Sequence, residues 1–196
     1  MGNGNMNREQ WLTEASQLVN AEVFEPLGKK AIDYRVSVGF PPKGGKPNQR
    51  GKAVIGVCFD PSLSAGNVTE IFISPLLESA FEAIDTLTHE MVHAIVGNGC
   101  GHKGPFKRLA LAIGLAGKMT EAAAGPELTD RLNAILAKMP PYPHYKLTPQ
   151  SSTKQGTRLI KVICTECDNV ARQAKTPFLT YGLVCGACNI PMVASS

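Results

Sequence analysis

Apolar and polar positions alternate along the chain with periods that change from segment to segment. In "NREQWLTEASQLVNAEVF" the residues Trp11, Leu12, Ala15, Leu18 and Val19 recur three and four apart and so share one helical face, and Asn7 with Gln10 has the spacing of a capping box. The spacing predicts a helix over residues 8–24. Three runs, "AIDYRVSVGF", "AVIGVCFD" and "TEIFISP", are β-rich and bounded by Gly, Pro, Asn or Ser, which predicts strands of one mixed or antiparallel sheet. Ser74 and Pro75 form a helix-start signal before "LLESAFEAIDTLTHEMVHAIVG", and Gly97, Asn98 and Gly99 end that helix. Further helices are expected at residues 105–116 and 126–138, the second entered through Gly125 and Pro126.

After Met139 the period disappears. "PPYPHYKLTPQSSTKQG" holds four prolines and reads as a linker or an extended wrapping segment. The next residues read as short strands hung on cysteine pairs. The expected parts are therefore residues 1–139, a Pro-rich connector at 140–157, and a small module at 158–196.

Composition narrows the class. A chain of 196 residues with 43% hydrophobic content has material for one sizeable core plus a small appended module. No apolar run reaches the roughly 18–20 residues of a membrane span, and "MGNGNMNREQ" lacks the regions of a secretory signal, so an intracellular, cytoplasmic address without membrane contact is expected. The oligomeric state is not legible. Residues 1–139 carry 14 Lys+Arg against 14 Asp+Glu, whereas 140–196 carry 6 against 2, so the net +4 lies in the tail. Binding of zinc by four thiolates would lower that excess to about +2.

Cys164, Cys167, Cys185 and Cys188 give C-x2-C-x17-C-x2-C, the spacing of a four-thiolate structural zinc. A module of about 40 residues has too little core to fold alone, so the metal would supply much of its folding energy. Arg158, Lys161, Arg172 and Lys175 alternate there with apolar residues, and Phe178 and Tyr181 lie between the pairs. A basic face with aromatics suits single-stranded nucleic acid. A module that binds protein, or only braces its neighbour, suits the same residues. The loop "PPKGGKPNQRGK" adds Lys43, Lys46, Arg50 and Lys52 with no acid; it reads as a solvated loop or as a phosphate-tracking one.

His89, Glu90 and His93 form HExxH. On a helix that spacing puts both imidazoles on one face, one turn apart, with Glu90 about 100° away from His89. The surrounding Ile84, Leu87, Met91, Val92, Ile95 and Val96 follow the pattern of a buried helix, where two histidines and a glutamate are costly without a partner. His102 follows nine residues after His93 in the Gly-rich "GNGCGHKGP", which can turn back to supply a third ligand and leave a fourth position for water. Cys100 shares that loop, as a bland thiol or an inhibitory ligand, and Cys58 reads as a small core residue. Glu121 or Glu127 is the alternative third ligand.

The stretch "IFISPLLESAFEAIDTLTHEMVHAIVGNGCGHKGPFKRLALAIGL" resembles the core of the SprT-like zinc metallopeptidases, the family that includes Spartan, over roughly residues 69–116. Residues 1–68 match only in general shape. The resemblance implies an α+β, zincin-like metallopeptidase domain with a small three-stranded sheet and an active-site helix, followed by a C-terminal zinc ribbon. It implies one catalytic Zn²⁺ on His89, His93 and His102, one structural Zn²⁺ on the four cysteines, and Glu90 as the catalytic residue that activates a zinc-bound water for peptide hydrolysis. A metzincin would need a histidine at Gly99. Lys103, His144 and Tyr145 are oxyanion-donor candidates by chemistry alone. Zincins commonly hold substrate along an edge strand, and whether "TEIFISP" is that edge or a central strand is open. The partners implied are a protein substrate and DNA, single-stranded by preference, because several such proteins act on DNA-bound proteins. The alternative is a nucleic-acid-binding or transcription-associated zinc protein with a weak or inactive HExxH domain.

Overall fold

Helix α1 (Arg8–Val19) opens with the capping box its sequence spells: the Gln10 N–H donates to the Asn7 side chain at 2.8 Å, and the Asn7 N–H donates to the Gln10 side chain at 2.9 Å. The computed structural model describes residues 6–41, 53–147 and 159–195. The basic loop residues Lys43, Lys46, Arg50 and Lys52, and Arg158 beyond the connector, lie outside the described residues. The chain separates into two units, residues 1–149 and 150–196.

In the first unit Trp11, Leu12, Ala15 and Val19 are buried on the face their spacing predicts, with Leu18 at its margin. The helix does not continue unchanged to residue 24. At Asn20 it widens into a π turn (Asn20–Phe24) and then tightens into a 3-10 turn (Glu25–Leu27). Asn20 gives the reason, because its buried amide accepts from the Ala31 N–H and donates to the Ala31 carbonyl, both at 3.0 Å, and so fixes the approach to the sheet. Strands β1 (Tyr34–Val38), β2 (Gly56–Phe59) and β3 (Thr69–Ile73) form a mixed sheet in the order β1-β3-β2. Strand β3 runs parallel to β1 and antiparallel to β2. The "TEIFISP" strand is thus central, with Thr69, Ile71 and Ile73 on its buried face, and β2 is an edge of the sheet among the described residues.

Helix α2 (Ala80–Val96) starts five residues later than Ser74 and Pro75 suggest, with Ser79 as its cap. Ser74 instead continues the sheet by donating its N–H to the Ile55 carbonyl, and the Pro75 carbonyl, which a helix begun there would use in its own ladder, accepts from the Leu147 N–H at 2.9 Å. The chain therefore turns first and seats Leu77 in the core. Ile84, Leu87 and Met91 of α2 are fully buried. Helix α3 (Pro105–Ile113) stops at Gly114, whose φ of 100° no L-residue adopts comfortably, so the expected helix over 105–116 ends early. Its last residues become β4 (Leu115–Ala116), paired antiparallel with β5 (Ala123–Ala124). Helix α4 (Pro126–Leu136) follows and buries Leu128, Leu132 and Ile135 in the same core.

Residues 140–147 wrap the first unit. The Trp11 indole donates to the Pro140 carbonyl at 2.8 Å, Tyr142 packs on Trp11 with ring centroids 4.7 Å apart, and His144 lies 3.0 Å from the Pro75 carbonyl.

In the second unit β6 (Leu159–Ile163) pairs antiparallel with β7 (Val170–Ala174) and with β8 (Val193–Ala194). A helix, α5 (Lys175–Tyr181), stands where only strands were expected. Its half-buried Phe178 packs on a small core of Val162, Cys164, Cys185 and Met192. The whole is mixed α+β with small sheets. No helix among the described residues is long and apolar enough to cross a membrane.

Candidate metal centres

Helix α2 carries His89 and His93 on its buried side, and the loop to α3 brings His102 back to them. His102 Nε2 lies 3.2 Å from His89 Nε2 and 3.1 Å from His93 Nε2. Tetrahedral coordination at about 2.0–2.1 Å sets neighbouring nitrogens roughly 3.3–3.4 Å apart, close to this spacing. The His89 Nδ1–H donates to the Ala122 carbonyl at 3.2 Å, which leaves Nε2 as the lone-pair nitrogen facing the cluster. His93 Nδ1 is buried with no partner. Burial pushes His89 and His93 each down to about 4, and lowers His102 as well, so the rings are neutral near pH 7. An Nε2–H on His102 can point well at only one of the two facing lone pairs, whereas a shared cation would take all three nitrogens. The donor set fits zinc.

Phe106 forms the floor, fully buried, with its ring 4.4–5.1 Å from the three imidazole centroids. Cys100 is not among the converging donors; its thiol lies 3.5 Å from the Gly97 and Gly101 carbonyls. Glu121 and Glu127 are also outside that group. Glu121 lines the adjoining cleft, while Glu127 is exposed in the first turn of α4. Of the oxyanion-donor candidates, Lys103, His144 and Tyr145 do not line the cleft: Lys103 is exposed, His144 faces Pro75 and Arg8, and Tyr145 is 89% exposed.

Beside the histidines lies a cleft of about 580 Å³, walled by Ala53–Gly56, by Asp85, Thr86, His89 and Glu90 of α2, and by Thr120–Ala123. Glu90 is 8% exposed, and burial pushes its carboxyl up to about 8. Gly56 explains how that carboxyl fits, since a Cβ there would lie 2.7 Å from Glu90 Oε1 and 2.6 Å from Thr86 Cγ2. Sequence reading passed over Gly56, although a glycine inside an apolar strand is a sign of close approach.

The hydrogen bonds of β2 also fix which way its backbone faces. Ile55 accepts inward from Ser74, and three residues on the Cys58 carbonyl accepts from the Asn98 side chain at 2.9 Å, on the outer edge. By alternation the Gly56 N–H and C=O face outward too, at the cleft. Asn98 caps the edge at Cys58.

In the second unit the four cysteine sulfurs lie within 4.8 Å of one another, and Cys167 Sγ is 3.7 Å from Cys185 Sγ. Zinc–sulfur bonds of about 2.3 Å imply sulfur separations of roughly 3.8 Å. Backbone turns aim the thiols inward: the Cys164 N–H donates to the Asn169 carbonyl, and the Asn189 N–H to the Cys185 carbonyl. The Asn169 amide, 3.5 Å from Cys185 Sγ, pulls that thiol down to about 6, and the neighbouring Cys167 thiol helps push Cys188 up to about 12. Lys161 and Arg172 are exposed and directly opposite each other across β6 and β7, and Lys175 opens α5.

Against protein-family models, curated proteins and solved structures, the chain gives no match in any of the three comparisons.

Proposed function

We propose that the protein is a zinc-dependent metalloendopeptidase of SprT-like type, with a zincin-like domain followed by a zinc ribbon. The observation that carries this reading is the convergence of His89, His93 and His102, with His89 also lining the cleft that holds the buried carboxyl of Glu90. His89, His93 and His102 would hold the zinc, which would supply a Lewis acid for the peptide carbonyl and for water. Glu90 takes the proton of the attacking water and returns it to the departing amide nitrogen. Burial raises the Glu90 carboxyl above an ordinary glutamate, which favours its taking up the water's proton. The outward N–H and C=O of Gly56 hold an extended substrate by strand addition beside the histidines.

Lys161 and Arg172 support the wider reading, in which the substrates are DNA-associated proteins. Like charges directly opposite in a sheet repel, and a polyanion on that face removes the penalty. The same pair favours the second reading, a nucleic-acid-binding zinc protein with little or no peptidase activity. Cleavage of a disordered protein with and without single-stranded DNA separates them. DNA-stimulated cleavage that disappears in Glu90→Gln is the expected result; DNA binding without cleavage selects the second reading.

A further inference from the structure

One carboxylate at the cleft has no part in the proposed chemistry. Asp85 lies on α2 one turn before His89 and lines the same cleft wall. It is half-buried, burial raises its carboxyl, and the contact that opposes this is a hydrogen bond from the Ala124 N–H to Asp85 Oδ1 at 2.9 Å. Ala124 belongs to β5, where it pairs with Leu115. Two residues earlier on the same segment, the Ala122 carbonyl accepts the His89 Nδ1–H. Both ends of a short bridge therefore return to α2: Asp85 grips Ala124, and Ala122 grips His89.

The segment is also held by the Gly125 N–H on the Gly114 carbonyl, by the Thr129 hydroxyl on the Ala124 carbonyl and by the buried Ala122, and the Asp85 contact ties it to the helix that carries His89. The β4–β5 ladder is only two residue pairs long, and Ala123 is exposed. A carbonyl on so short a hairpin would drift, and with it the ring orientation that aims His89 Nε2 at His102. A hydrogen bond to an ionised acceptor is about twice as strong as a neutral one, and a helix is a rigid anchor for it.

We infer that Asp85 is a positioning residue for the histidine site: by holding the Ala122–Ala124 segment against α2 it fixes the carbonyl that orients His89. The inference rests on the zinc reading above and adds to it a residue outside HExxH. A wrong or mobile tautomer at His89 weakens zinc even when all three imidazoles are present, as the loss of a ligand's outer hydrogen-bond partner does elsewhere.

The test uses the full chain and zinc itself, measured by competition with a chromogenic chelator, with Co²⁺ in place of zinc as a spectroscopic probe. The variants are Asp85→Leu, which lacks an acceptor, Asp85→Ala, which also removes the bulk, and Asp85→Asn, which keeps an acceptor oxygen. Removing the acceptor should weaken zinc at the histidine site about 10- to 100-fold and alter the visible Co²⁺ bands, with the cysteine site and the metal-free helical signal unchanged. Asp85→Asn should recover most of the affinity and the wild-type bands. Wild-type affinity in Asp85→Leu or Asp85→Ala, or an Asp85→Asn variant as weak as they are, overturns the inference while leaving the zinc reading in place. A wild type that binds one zinc per chain, at the cysteines alone, removes the zinc reading and the inference with it.

Discussion

The two candidate metal centres sit in surroundings of opposite kinds. The three histidines lie on a core that includes Trp11, Phe24, Ile71, Ile73, Leu87, Phe106 and Leu128, all fully buried, and that core closes without them. Two of the four cysteines, Cys164 and Cys185, make up half of the buried core of their unit among the described residues, beside Val162 and Met192, and Cys167 and Cys188 pack against it. On the zinc reading, one unit would be a scaffold that places a metal, and the other would need a metal to be a scaffold. The same ion would then have different work in one chain, and its removal should separate the two.

Chelation is the strongest way to break that comparison. Stripping zinc, or replacing Cys185 by Ser, should unfold residues 159–195 and leave the first unit folded, because structural zinc contributes on the order of 10 kcal/mol in so small a module. Limited proteolysis after chelation should then yield a stable fragment of the first unit; simultaneous loss of both units would contradict the contrast. Next in size is Glu90→Gln, which should keep both zincs and lower cleavage of a disordered protein by about 10²- to 10⁴-fold.

The same substitution sharpens the contrast in the metal-free protein. Burial raises the Glu90 carboxyl to about 8 from an ordinary 4.5, so the folded chain binds the proton more tightly than the unfolded one. Its contribution to stability is full below about 4.5 and is lost as pH rises to about 8, by at most about 1.4 kcal/mol per pH unit. His89 and His93, lowered to about 4, have the opposite sign and lose stability as pH falls from 6.5 to about 4. Metal-free Glu90→Gln should therefore melt above the wild type at pH 8 and close to it at pH 4.5, in thermal melts across that range.

Smaller effects are expected further from the candidate metal centres. Gly56→Ala forces a methyl into Glu90 and Thr86 and should cost about 1–3 kcal/mol in urea unfolding, with a fall in cleavage. Trp11→Phe removes the hydrogen bond to Pro140 and should cost about 1 kcal/mol, read as a lowered melting temperature of the first unit alone.

What was legible follows from how far along the chain each signal extends. The capping box, the buried face of α1, the three strands and the two ligand sets are written in neighbouring residues or at fixed spacings, and periodicity reports them. Helix α2 starts late because its first turn competes with Leu147, seventy-two residues on from the Pro75 carbonyl, a contact no local signal carries. Strands β4 and β5, two residues each, are too short to have a period. Gly56 and Asp85 matter through what faces them across the fold. Cys100 and His102 share one loop, where sequence reading favours His102 as the ligand, and backbone geometry separates them: the loop presents the imidazole to His93 and turns the thiol to its own carbonyls.

The side chain of Asn98 has a consequence for the molecule among its own copies. An uncovered strand edge is an invitation to other edges, and proteins that keep one open risk joining in ribbons. Strand β2 is four residues long, and its outward carbonyl at Cys58 is already taken by Asn98. The opening left at Gly56 is too short to template a second sheet. Asn98→Ala would lengthen that opening, and self-association at high concentration, followed by light scattering, is where the difference should first be seen.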